Sequence, residues 1–282
     1  MERLLRLVNA YGLDLKKFRD VGEYRGAGLL VPMQDVSTAW GFSYRNGVGN
    51  PYVESATALH YHGTNLALQT LQMYEERFTP STMTSLVGAR EEVEAPRSLE
   101  FKSASPFGVP KQHMPYLLAQ GAPEKRFNLR LRTRLPARRR ALRSLSKPMT
   151  ESRHQLQRIQ AVYNSIIGTA YQQGFGNSRV LHDRYVTATI LKMGSGYRFI
   201  VMSGQHRLGV LTALGVSKVL LLPSQDFAPC LDLDVVQEWP IVRSRDISPE
   251  EAWALGERYF IDDGSGLAKR FNIPLNYSDS QS

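Results

Sequence analysis

The chain has 282 residues, a net charge of +9 and 42% apolar residues, the profile of a globular protein able to bury a core. No run approaches the ~20 consecutive apolar residues of a membrane span, which excludes a helical integral membrane protein. The single cysteine, Cys230, excludes an internal disulfide and any cysteine-rich zinc site, and it fits a reducing compartment.

At the N-terminus, charges interrupt the leucines of MERLLRLVNAYGLDLKKF and no small-residue cleavage site follows, so the stretch does not read as a secretory signal. Leu4, Leu5, Val8 and Tyr11 share one helical face and Gly12 would end the helix. It packs on the core or, in the alternative reading, rests as a basic amphipathic helix on a membrane surface. Residues 20–52 are rich in Gly, Tyr and Asn and read as irregular structure or short strands. Residues 53–76 read as helical. Leu66, Leu68, Leu71, Met73, Tyr74 and Phe78 mark an apolar face, Asn65 is a candidate cap and Pro80 lies just past the end. A short helix over STMTSLVG precedes Gly88, and residues 89–123, with five prolines, read as an extended connector.

Residues 125–147 carry ten Lys and Arg and no acid, leaving the rest of the chain near −1. Such a segment attracts phosphate-rich surfaces, nucleic acid or an anionic membrane, with Arg138, Arg139 and Arg140 its densest part. A solvated connector whose arginines pair with acids elsewhere fits the pattern equally. Only Phe127 interleaves the segment, so stacking on bases is not indicated. The six histidines show no HExxH spacing. His60 and His62 read as a surface or half-buried pair, and no metal site is expected.

From Thr150 the periodicity sharpens. TESRHQLQRIQAVYNSIIGTAYQQG reads as a helix buried along Leu156, Ile159, Val162, Tyr163, Ile166, Ile167 and Ala170, with Thr150 as cap and Glu151 in the first turn. YVTATILKM and YRFIVMS flank Gly194-Ser195-Gly196 as a hairpin. A helix over 206–214 follows, ended by Gly215, then the buried strand KVLLLP. Residues 226–240 read as loop. SPEEAWALGERYF is a helix capped by Ser248 with Pro249 first, and the tail after Asp262 reads as loose. The chain thus divides into a mixed, helical N-terminal region (1–124), a basic connector (125–149), an α+β core (150–225) and a C-terminal helical extension and tail (226–282).

The hairpin hands over to the helix through Ser203-Gly204-Gln205-His206-Arg207. Glycine permits a tight turn and close approach of a ligand. The helix's first N–H groups attract anions, and Arg207 adds a permanently charged fork suited to phosphate oxygens. Gln205 and His206 add donors. The competing reading is a structural turn in which Arg207 pairs with a carboxylate and His206 is satisfied in the core.

The knot, the Leu214-Gly215 helix end and the strand Val219–Leu222 resemble the ParB/sulfiredoxin superfamily, over roughly residues 150–223. The Gly-Gln-His-Arg form is most similar to proteins described by a DGQHR motif, some linked to DNA phosphorothioation, with Ser203 here in place of the aspartate. The resemblance implies a small mixed sheet with helices, and ATP, ADP or CTP phosphates bound at Ser203, Gly204, Gln205, His206 and Arg207. It implies an activity such as a small-molecule kinase or NTPase, with Mg²⁺ as companion ion. Kinases of this superfamily use a glutamate near the start of the helix before the hairpin. Glu151 is the only acid there, which makes Glu151 and His206 the candidate catalytic pair, although Glu151 also suits an ordinary first turn. Sulfiredoxins carry a cysteine where Gln205 stands, so sulfinate reduction is not expected. The DNA-partitioning members follow this domain with helix-turn-helix readers, and no such pair is evident here. A nucleic-acid-associated or nuclease-like module is the alternative. LLRLVNAYGLDLKKF, TLQMYEERFTPSTM and GSGYRFIVMSGQHR also resemble proteins of bacterial cell-surface polysaccharide gene clusters. That resemblance implies a cytoplasmic enzyme or accessory factor near the inner membrane.

Overall fold

The computed structural model describes residues 16–17, 27–45, 47–80, 151–169, 186–223, 230–243 and 248–275. The expected N-terminal helix, the STMTSLVG helix, the proline-rich connector and the basic segment, including Arg138, Arg139 and Arg140, lie outside them.

The fold is α+β around one mixed sheet. Its strands are β1 (Lys16–Lys17), β2 (Ala27–Pro32), β3 (Val36–Thr38), β4 (Thr187–Met193), β5 (Gly196–Ser203), β6 (Lys218–Pro223) and β7 (Cys230–Asp232). They run in the order β1-β2-β6-β4-β5-β3, with β7 also beside β4. The expected hairpin is present: β4 and β5 pair antiparallel around Gly194 and Ser195. KVLLLP forms β6, parallel to β4 and antiparallel to β2. The sheet draws strands from both sides of the long central stretch. Leu29 lies opposite Leu221 and Val36 opposite Phe199, so residues of the N-terminal region complete the sheet of the core.

Alternation along the strands makes two hydrophobic clusters. Leu29, Val31, Ala188, Ile190, Phe199, Val201, Val219 and Leu221 join Leu208 and Leu211 in one. Leu191 and Ile200 belong to the other, with Ala56, Leu71, Ile159, Val210 and Leu255, while Ile167, expected to be buried, is exposed.

The helices are α1 (Pro51–His62), α2 (Thr64–Arg77), α3 (Glu151–Thr169), α4 (Gln205–Ala213), α5 (Pro240–Arg243), α6 (Pro249–Ile261) and α7 (Ser265–Arg270). Residues 53–76, expected to be helical, lie in two helices. Gly63, at φ 88°, ends α1 and starts α2, so Asn65 is no cap. The cap that matters is Asn50, whose side chain accepts from Tyr52 N and Val53 N with Pro51 at the first position. At α6 the expected cap is a full capping box between Ser248 and Glu251.

Two expectations for the C-terminal region fail. Residues 226–240 are not all loop: β7 pairs with β4, and a 3-10 segment spans Leu233–Glu238. Nor is the region after Asp262 loose throughout, because Leu267 and Ala268 of α7, and Ile273, are buried. Short segments of this kind have too few residues to show a period, and their burial is decided by what they dock against. Among the described residues, no helix is long and apolar enough to cross a membrane.

Candidate functional site

β5 ends irregularly. Thr187 lies opposite Ser203 but Ala188 opposite Val201, so Met202 is one residue too many and the strand end is re-aimed. Gly204 follows at φ 99° and ψ 17°, the left-handed region. A Cβ there would also stand 3.0 Å from Val186 Cγ2 and 3.2 Å from Val186 Cα. Both facts demand glycine. α4 begins at the next residue, one earlier than expected, and its first intrahelical bond runs from Leu208 N to Gly204 O at 3.0 Å. The N–H groups of Gln205, His206 and Arg207 therefore precede the helical ladder and sit at the positive end of its dipole. The buried Tyr44 donates its hydroxyl to Gln205 O at 3.4 Å. Ser203, Gln205 and Arg207 are half-buried.

Three helix starts meet here. Tyr52, second residue of α1, stands edge-on to the His206 ring, with centroids 5.1 Å apart and planes at 78°. From the first turns of α3, Gln155 hydrogen-bonds His206 Nε2 through its Oε1 and donates its own Nε2 to Glu151 Oε1. Glu151 and His206, the two candidate catalytic residues, are thereby linked through one side chain. The start of α3 is held from outside: Glu75 of α2 accepts from both Ser152 N, at 3.1 Å, and Ser152 Oγ. A carboxylate at a helix N-terminus complements the dipole.

The electrostatics revise one expectation. Burial, with Arg158 and then His154 alongside, pushes His206 down to about 3. His206 is therefore neutral at physiological pH, and its Nε2 is engaged by Gln155, so it contributes neither a cation nor a spare Nε2 donor. The charged group of the knot is Arg207. Tyr52 is pushed well above the usual phenol range, by burial first and by the Glu151 charge second.

Sequence reasoning missed Gln155, Tyr52 and Glu75. A signal for Gln155 existed: with Ser152 it lies on the same stripe as Leu156 and Ile159, and all four are buried. A polar residue on an apolar stripe is the informative kind. His60, by contrast, is exposed and its Nδ1 is 2.7 Å from Tyr163 Oη, and His62 is exposed as well. Among the described residues, no group of three His, Cys, Asp or Glu is placed to hold a metal ion.

Comparison with family models, with curated proteins and with solved structures gives no match. The class defined by fold and site together is an α+β protein whose mixed sheet presents a glycine-led helix start to two other helix starts.

Proposed function

We propose that this chain is a nucleotide- or phosphate-binding protein of the ParB/sulfiredoxin type, acting on a phosphorylated small molecule or nucleotide by phosphoryl transfer or NTP hydrolysis. The observation that carries the reading is the hydrogen-bonded path from Glu151 through Gln155 to His206, which brings an exposed carboxylate to the start of α4. The knot's N–H groups and Arg207 supply what a phosphate needs, namely directed donors and a positive charge. In this reading Glu151 takes a proton from an acceptor hydroxyl or water. ATP, ADP or CTP would bring Mg²⁺ on their own phosphates, which asks only one or two carboxylates of a protein, with Glu151 the exposed one at hand.

Melting of the full chain with ATP, ADP and CTP, each with and without Mg²⁺, tests this. A rise with at least one nucleotide, and none with its unphosphorylated nucleoside, is expected. No rise with any of the three overturns the reading. The ten positive charges without an acid over 125–147 favour a second reading, a nucleic-acid-associated module.

A further inference from the structure

We propose that Gln155 is a positioning residue that holds Glu151 as a hydrogen-bond acceptor and His206 as the tautomer protonated on Nε2. Gln155 is 3% exposed, so its amide cannot turn to water for its partners. A carboxamide has one accepting and one donating end, and an ionised carboxylate only accepts. With Glu151 ionised, the NH₂ group must face it, four residues back on the same helix face. The carbonyl is then left for His206 Nε2, which must donate.

Burial keeps the His206 ring neutral, so it carries one proton only. That proton is on Nε2, and Nδ1 is the basic nitrogen. The other groups around the ring are Tyr52 from α1, His154 and Arg158 from α3, and Arg207 beside it on α4. Arg158 and His154 both disfavour a second proton. The charge of an exposed carboxylate is thereby converted into the proton position of a half-buried imidazole.

The inference deepens the proposed phosphate site and rests on that reading only for its use. The test is NMR of the full chain labelled with ¹⁵N in histidine, without nucleotide, with His206 assigned by the signal lost in His206→Asn. The parent is expected to show His206 neutral with Nε2 protonated. Gln155→Glu, nearly the same shape, sets a carboxylate against Nε2, and the His206 titration is expected to move up by about 1–3 pH units. Gln155→Leu removes the acceptor, and the Nε2 tautomer should lose its dominance. A parent His206 carrying its proton on Nδ1 overturns the inference. So does an unchanged His206 titration in Gln155→Glu. Since nucleotide is absent, the Nε2 signature in a chain that binds no nucleotide supports the positioning role while the phosphate reading fails.

Discussion

Gly209 of α4 lies against the backbone of Tyr52: a Cβ at position 209 would stand 2.8 Å from the Tyr52 carbonyl carbon and 2.8 Å from its oxygen. This contact sets how closely α4 approaches α1, and therefore how the Tyr52 ring meets His206 one turn earlier. Gly209→Ala should raise helix propensity by ~1 kcal/mol yet force the helices apart, at a cost of ~1–3 kcal/mol. A net loss is expected, read as a lower urea midpoint at unchanged slope. A more stable variant would mean that the close approach does not constrain the site.

Glu54 is buried at the start of α1, where it accepts from Gly49 N at 2.7 Å. Among the described residues its other oxygen and the Tyr74 hydroxyl make no hydrogen bond of good geometry, although each perturbs the other's titration. Burial, the largest cause, pushes the Glu54 carboxyl up from 4.5 to about 7. The folded chain thus holds this proton more tightly than the unfolded chain. Stability should fall as pH rises from about 4.5 and level off above about 7, by roughly 3 kcal/mol for this group. Glu54→Gln should flatten that part of the profile, measured by denaturant unfolding at pH 5 and pH 8. An equal slope in both proteins would show that Glu54 ionises normally.

How much was legible follows from how local each signal is. Gly204 and Gly215 punctuate a strand–helix–strand run in which every instruction lies within a few residues, and the knot was found on that basis. The capping box at Ser248 is equally local. The pairing of Leu29 with Leu221, or of Val36 with Phe199, spans most of the chain and leaves no mark in either strand's own sequence. Gln155 stands on the stripe of Leu156 and Ile159, so its burial was legible, but its partner His206 is not defined until α4 is packed on α3. The engagement of His206 is non-local in the same way: burial by other elements and the contact with Gln155, not the motif, hold its ring neutral and occupy its Nε2.

The basic segment gives a separate forecast. If residues 125–147 grip a polyanion, changing Arg138, Arg139 and Arg140 to Ala should reduce the slope of log K against log salt for duplex DNA by about 2–3, from ~0.9 per lost phosphate contact. Filter binding across salt concentrations reads it. An unchanged slope leaves those arginines outside any such interface.

The central claim is that the start of α4 holds a phosphate, with Arg207 as its charged contact. Calorimetric titration of ADP with Mg²⁺ into the parent and into Arg207→Ala tests it most directly, alongside the melting temperature of each protein without ligand. Loss of one charge-assisted contact, worth ~1.5–3 kcal/mol, should weaken ADP by about one to two decades in a variant that still melts cooperatively without ligand. A parent that binds no ADP, together with an Arg207→Ala variant that loses several kcal/mol of stability, would contradict the account and make the knot a structural turn.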